Sequence, residues 1–144
     1  MRTRRLVGQC ALVLLLLRAA PVLSDDAESR YAEAWRHAHT AVGEFAAAQL
    51  RHARGPQRTA ALKEARDRYQ VALAEIEGSP PPQSMILLHW ELVPLHEELL
   101  AGMSTVVDGE TNADTTTIEL GWTWIEQARS MIRKTLRDAP SRGR

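Results

Sequence analysis

Cysteine is almost absent. Cys10 is the only one among 144 residues, and it lies inside an apolar run near the N-terminus. Past that run there is no thiol to pair, so no disulfide framework supports the fold even where an oxidising compartment would permit one. No cysteine nucleophile is present, and no Cys-x-x-Cys-His run exists for covalent haem attachment. The sequence also lacks a Gly-rich phosphate loop, a Gly-x-Ser-x-Gly elbow and any Asn-x-Ser/Thr acceptor for a glycan. Glu-x-x-His is missing, which removes the ligand spacing of a ferritin-like di-iron site. His96-Glu97-Glu98-Leu99-Leu100 begins like a zinc-protease helix, but Leu100 stands where the second histidine must be. Lysine is rare, with Lys63 and Lys134 against 16 arginines, a bias we read as coding preference and not as function.

Net charge is missing as well. The 18 basic and 18 acidic residues cancel, but unevenly, because the first 24 residues carry Arg2, Arg4, Arg5 and Arg18 and no acid. Without them the chain is mildly acidic, which argues against nucleic acid as a partner. The same stretch reads as an export signal: an arginine-rich start, an apolar core from Leu6 to Leu17, and Val22 and Ser24 at the positions that precede cleavage. The expectation is a signal peptide over 1–24 and a secreted or periplasmic protein starting at Asp25. Membrane attachment follows only if the segment is retained, and Leu6 to Leu23 is barely long enough to span a bilayer.

What remains is helical in period. No segment alternates as a strand does, and no repeat is visible. Arg54-Gly55-Pro56, Gly78-Ser79-Pro80-Pro81-Pro82 and Asp108-Gly109 punctuate the chain. They divide it into amphipathic helices near 26–52, 57–77, 83–107 and 113–138. The first stripe reads Tyr31, Trp35, Ala38, Val42, Phe45, Gln49 and His52. The second reads Leu62, Ala65, Tyr69, Ala72/Leu73 and Ile76, bordered by Arg58 and Arg66. The fourth reads Ile118, Gly121/Trp122, Ile125, Ala128, Ile132 and Leu136, with Leu120, Trp124 and Met131 along an edge. Short connections predict an all-α, antiparallel up-down-up-down four-helix bundle over 25–138, after the signal peptide and before a disordered tail at 139–144.

The third helix is the most apolar. Met85, His89, Leu92, His96, Leu99 and Met103 follow its centre in steps of four and three, flanked by Ile86, Leu88, Val93, Leu95 and Leu100. Pro94 falls on the opposite, polar side. Two histidines on a buried seam need partners, since an unpaired imidazole is costly there. On the core reading they hydrogen-bond across the bundle to groups such as Gln49, Tyr31 or Tyr69. On the alternative reading His89 and His96 bind a transition metal, copper or haem, with Met85 and Met103 on the same seam as soft donors. Seven residues of helix span about 10.5 Å, so one ion cannot take both. Glu33/His37 reads as a solvated ion pair rather than as a surface ion site, and Glu91/Glu98 and Glu119/Glu126 as solvent faces rather than as acid/base pairs. Trp90 and Trp124 stand off their stripes, where an aromatic marks either a contact surface or corner packing. The functional expectation is an exported bundle without catalytic activity, acting by protein–protein contact or as a structural accessory, with a homodimer as one form open to it.

Overall fold

A computed structural model describes residues 25–139. The expected signal peptide, 1–24, and residues 140–144 of the expected tail lie outside the described residues. The fold is an all-α four-helix bundle, with no strand among the described residues. Its elements are α1 (Asp25–Arg51), α2 (Pro56–Gly78), α3 (Ile86–Thr111) and α4 (Thr115–Asp138), with a short 3-10 turn, Gln83–Met85, leading into α3.

Cross-helix contacts give each helix its direction. Between α1 and α2, Arg68 meets Glu44 at 3.0 Å and Glu75 meets His37 at 3.7 Å, so numbers rise on one helix as they fall on the other. The α2–α3 pairs, Tyr69 with His96 and Arg58 with Glu110, run in the same opposed sense. So do the α1–α4 pairs, Phe45 against Trp122, with ring centroids 5.5 Å apart, and His39 near Arg129. Tyr31 with His89 and Trp35 with His96 instead show α1 and α3 running parallel across the bundle.

The buried face of α2 is the stripe read from the sequence: Leu62, Ala65, Tyr69, Ala72, Leu73 and Ile76. On α1 the stripe is rotated. Ala34, Ala41 and Ala48, at seven-residue spacing, are buried with Tyr31, Ala38 and Phe45. The larger Trp35, Val42, Gln49 and His52 are only half-buried beside them. Small side chains occupy the line of closest approach, and larger ones pack along its edge.

Glycine does the same work between α3 and α4. A Cβ on Gly121 would sit 2.7 Å from the backbone nitrogen of Val106 and 2.9 Å from the carbonyl of Gly102. One on Gly109 would sit 2.7 Å from the nitrogen of Ile118. Gly109 therefore does not end α3, as its place after Asp108 suggests. It lies inside the helix, which runs on to Thr111, and α4 packs too closely there for any side chain. The chain reverses at Asn112–Ala113. Ala113 adopts a left-handed φ of 53°, and the amide of Asp114 donates to the carbonyl of Gly109 at 2.8 Å, closing the helix end. The Asp114 side chain then caps α4, accepting from the amides of Thr116 and Thr117 at 3.0 and 3.3 Å. No described helix is long and apolar enough to cross a membrane.

Candidate functional site

The α3 seam lies where its four-and-three spacing puts it. Met85, His89, Leu92, Leu99 and Met103 are buried, and His96 is partly buried among them. Leu88 and Val93 flank the seam in the core, Leu95 and Leu100 are half-buried, and Ile86 is exposed. Pro94 faces outward.

Each seam histidine is paired with a tyrosine from another helix. Nδ1 of His89 is 3.0 Å from the Tyr31 hydroxyl of α1. Nδ1 of His96 is 2.5 Å from the Tyr69 hydroxyl of α2, which also donates to the His96 carbonyl at 3.3 Å. Trp35 closes over His96 edge to face at a centroid distance of 4.8 Å, and Trp90 stands over His89 at 5.4 Å. Burial pushes the His96 imidazole down to about 4, helped by the like charge of His39. His89 is lowered by burial too, with Glu77 pulling the other way. His39 is lowered by burial and by Arg129 of α4. Burial drives both tyrosine hydroxyls up. At neutral pH the two rings are uncharged, each offering one N–H and one bare nitrogen, and a neutral hydroxyl complements either. Gln49, half-buried on α1, has neither histidine as its partner.

For the metal or haem reading, the geometry sets a condition. A tyrosine hydroxyl engages each Nδ1, so ligation would have to use Nε2. Among the described residues no three His, Cys, Asp or Glu side chains gather as a metal-binding group. The remaining carboxylate candidates stay on solvent faces. Glu33 lies 3.8 Å from His37, which also meets Glu75, and Glu126 pairs with Arg129 at 3.1 Å. Glu91, Glu98 and Glu119 are exposed.

One buried polar pair goes beyond the sequence reading. Arg58 reaches Glu110 at 2.8 Å, and the Glu110 side chain is only 2% exposed. The signal was available: the steps of four and three that run down the α3 seam continue from Met103 through Val106/Val107 to Glu110. Reading Gly109 as a stop hid it. This pair and both Tyr–His pairs join the α1/α2 hairpin to the α3/α4 hairpin.

The outer face of the α3/α4 hairpin is the other feature. Leu87 is 79% exposed, Trp90 68%, Met131 48%, Leu120 45% and Trp124 42%. By the register that sets Gly121 between Gly102 and Val106 of α3, Pro94 lies level with Met131, and Ala101 level with Trp124. Trp90 and Trp124 are thus surface aromatics at the two ends of one apolar strip. Matched against protein-family models, curated proteins and solved structures, the chain finds no match in any of the three.

Proposed function

We propose that this is an exported helical-bundle protein, up-down-up-down in order, that acts by protein–protein contact or as a structural accessory and carries out no catalysis. The observation that supports contact is the α3/α4 outer face: an apolar strip with a tryptophan towards each end, held in water at a cost that a binding role explains. Aromatics of this kind are the residues that dominate binding energy at interfaces. Export rests on residues 1–24, with cleavage after Ser24 and a secreted or periplasmic product. The histidines belong to this reading as the polar pins of the bundle.

The test is site-specific photocrosslinking in the host. A photoreactive residue in place of Trp90 is expected to give one discrete adduct in the exported fraction, whereas the same residue in place of His37, on the opposite hairpin, gives none. Absence of any adduct at Trp90 contradicts the contact reading. Intact mass of the exported form is expected to correspond to a chain starting at Asp25, and finding Met1 retained in a membrane fraction would make it an anchored protein instead.

A further inference from the structure

We propose that the apolar edge of α4 receives a second copy of this chain, packed antiparallel to the first about a two-fold axis; the inference rests on the contact reading and names its partner. The edge repeats as a helix–helix seam does. Leu120, Trp124, Gln127 and Met131 follow one another in steps of four, three and four, and all four are exposed. From end to end they cover about 16 Å, three helical turns.

Charge along α4 is sorted by position. From Thr115 to Ala128 the only charged residues are acidic, Glu119 and Glu126. From Arg129 to Asp138 they are Arg129, Arg133, Lys134 and Arg137, with Asp138 the one acid. Glu119, Glu126 and Arg133 recur every seven residues and so share one flank of the seam. A flank that changes sign along its length repels a uniformly charged partner over half of that length. It matches a helix of the same sequence running the other way, whose basic half meets this acidic half.

The register follows. An antiparallel copy that sets Leu120 opposite Met131 of the second copy, and Trp124 opposite its Gln127, brings Glu119 level with its Arg133 to within one residue. By symmetry each contact is made twice. Glu126 meets its counterpart near the axis, where each carboxylate is already held by Arg129 of its own chain at 3.1 Å. The contact centres on α4 and not on α3, because α3 has no lysine or arginine from Ile86 to Thr111 while Glu97 and Glu98 stand exposed, so α3 against α3 sets acid on acid. On the outer face of α1/α2 the charges are matched within the chain: Arg68 holds Glu44 and Glu64, and Lys63 holds Asp67.

One helix pair buries less than the roughly 1,200–2,000 Å² of a stable interface, and the dimer is expected to be weak, with a dissociation constant on the order of 10–100 μM. At the low micromolar concentration of a thermal scan it is dissociated and adds nothing to the midpoint of unfolding.

Sedimentation equilibrium of the exported form, from about 10 μM to about 1 mM, is the test. Wild type is expected to show a reversible monomer–dimer equilibrium. Glu119→Arg alone and Arg133→Glu alone are each expected to weaken it about tenfold or more, since either sets like charges opposite one another at two symmetric places. An equimolar mixture of the two variants restores opposite charges at both places, as does one chain carrying both changes, and each is expected to come within about threefold of wild type. A variant that had lost its fold could not be restored by mixing. A chain that stays monomeric to the highest concentration overturns the proposal, as does a dimer indifferent to either change or one that mixing leaves weak. By the same register Trp90 lies level with Thr116 of the second copy, so the adduct at position 90 is expected at twice the mass of the chain. An adduct of another mass from a monomeric chain leaves the contact reading standing and removes the second copy; no adduct and no dimer removes both.

Discussion

His96 is kept neutral by its surroundings. Its folded pKa of about 4 lies below the ordinary 6.5, first because burial disfavours the imidazolium and second because His39 adds like charge. The unfolded chain takes up this proton near pH 6.5, and the folded chain only near 4. Stability is therefore full above the upper value and falls as pH drops through the window, by on the order of 3 kcal/mol for the full shift. His89 adds to the trend in the same direction. Urea unfolding of wild type and His96→Leu at several pH values checks this. The variant is expected to lose much of the slope between pH 6.5 and 4, with Tyr69 keeping the backbone carbonyl at position 96 as its acceptor. Equal slopes would mean that the ring titrates as it does in water. At Ala113 a φ of 53° is one that a Cβ resists and glycine accepts. Ala113→Gly is expected to stabilise the turn by about 1 kcal/mol.

At the scale of elements, glycine has opposite meanings at different places. Nothing lies within 4 Å of a Cβ built on Gly43, in the middle of α1, whereas one on Gly121 strikes the backbone of α3. Gly43→Ala is expected to raise stability by about 0.5–1 kcal/mol through lower chain entropy in the unfolded state. Gly121→Ala is expected to lower it by about 1–3 kcal/mol or more, because backbone must move. Chemical denaturation of the two variants distinguishes these signs. The Arg58–Glu110 pair gives a third prediction. Glu110→Ala leaves a guanidinium with little water around it and is expected to cost about 3–5 kcal/mol, while Arg58→Met with Glu110→Leu recovers most of that loss.

These elements also show what was legible beforehand. The α2 stripe and the α3 seam could be read because large apolar side chains at steps of three and four mark a buried face directly. The partners of the histidines were half legible: Tyr31 and Tyr69 were among the candidates, but pairing depends on helix register, which no single stripe contains. The α1 phase differs from its stripe because periodicity weighs Trp35 and Val42 above Ala34 and Ala41, although close helix contact favours the small residue. Gly109 reads as a stop for a related reason. A glycine that ends a helix and one that admits a neighbouring backbone are identical in one dimension, and only the facing Ile118 separates them.

The whole molecule is two closely packed hairpins joined by polar pins. Buried alanines run down α1, and glycines line the α3/α4 contact. The Tyr31–His89, Tyr69–His96 and Arg58–Glu110 pairs all cross from one hairpin to the other. Buried pairs of this kind fix register more than they add stability. Apart from Trp90, whose ring stands over His89, the apolar strip on α3/α4 contributes to neither role, and the functional account depends on that. The most direct measurement is the thermal midpoint of Trp90→Ser combined with Trp124→Ser. If the strip exists for contact, the doubly substituted protein unfolds within about 5 °C of wild type, since exposed positions change stability by no more than about 0.5 kcal/mol each, about 1 kcal/mol together. A fall of about 8 °C or more would mean that the two tryptophans are holding the bundle together, and the strip would lose its claim to be a binding surface.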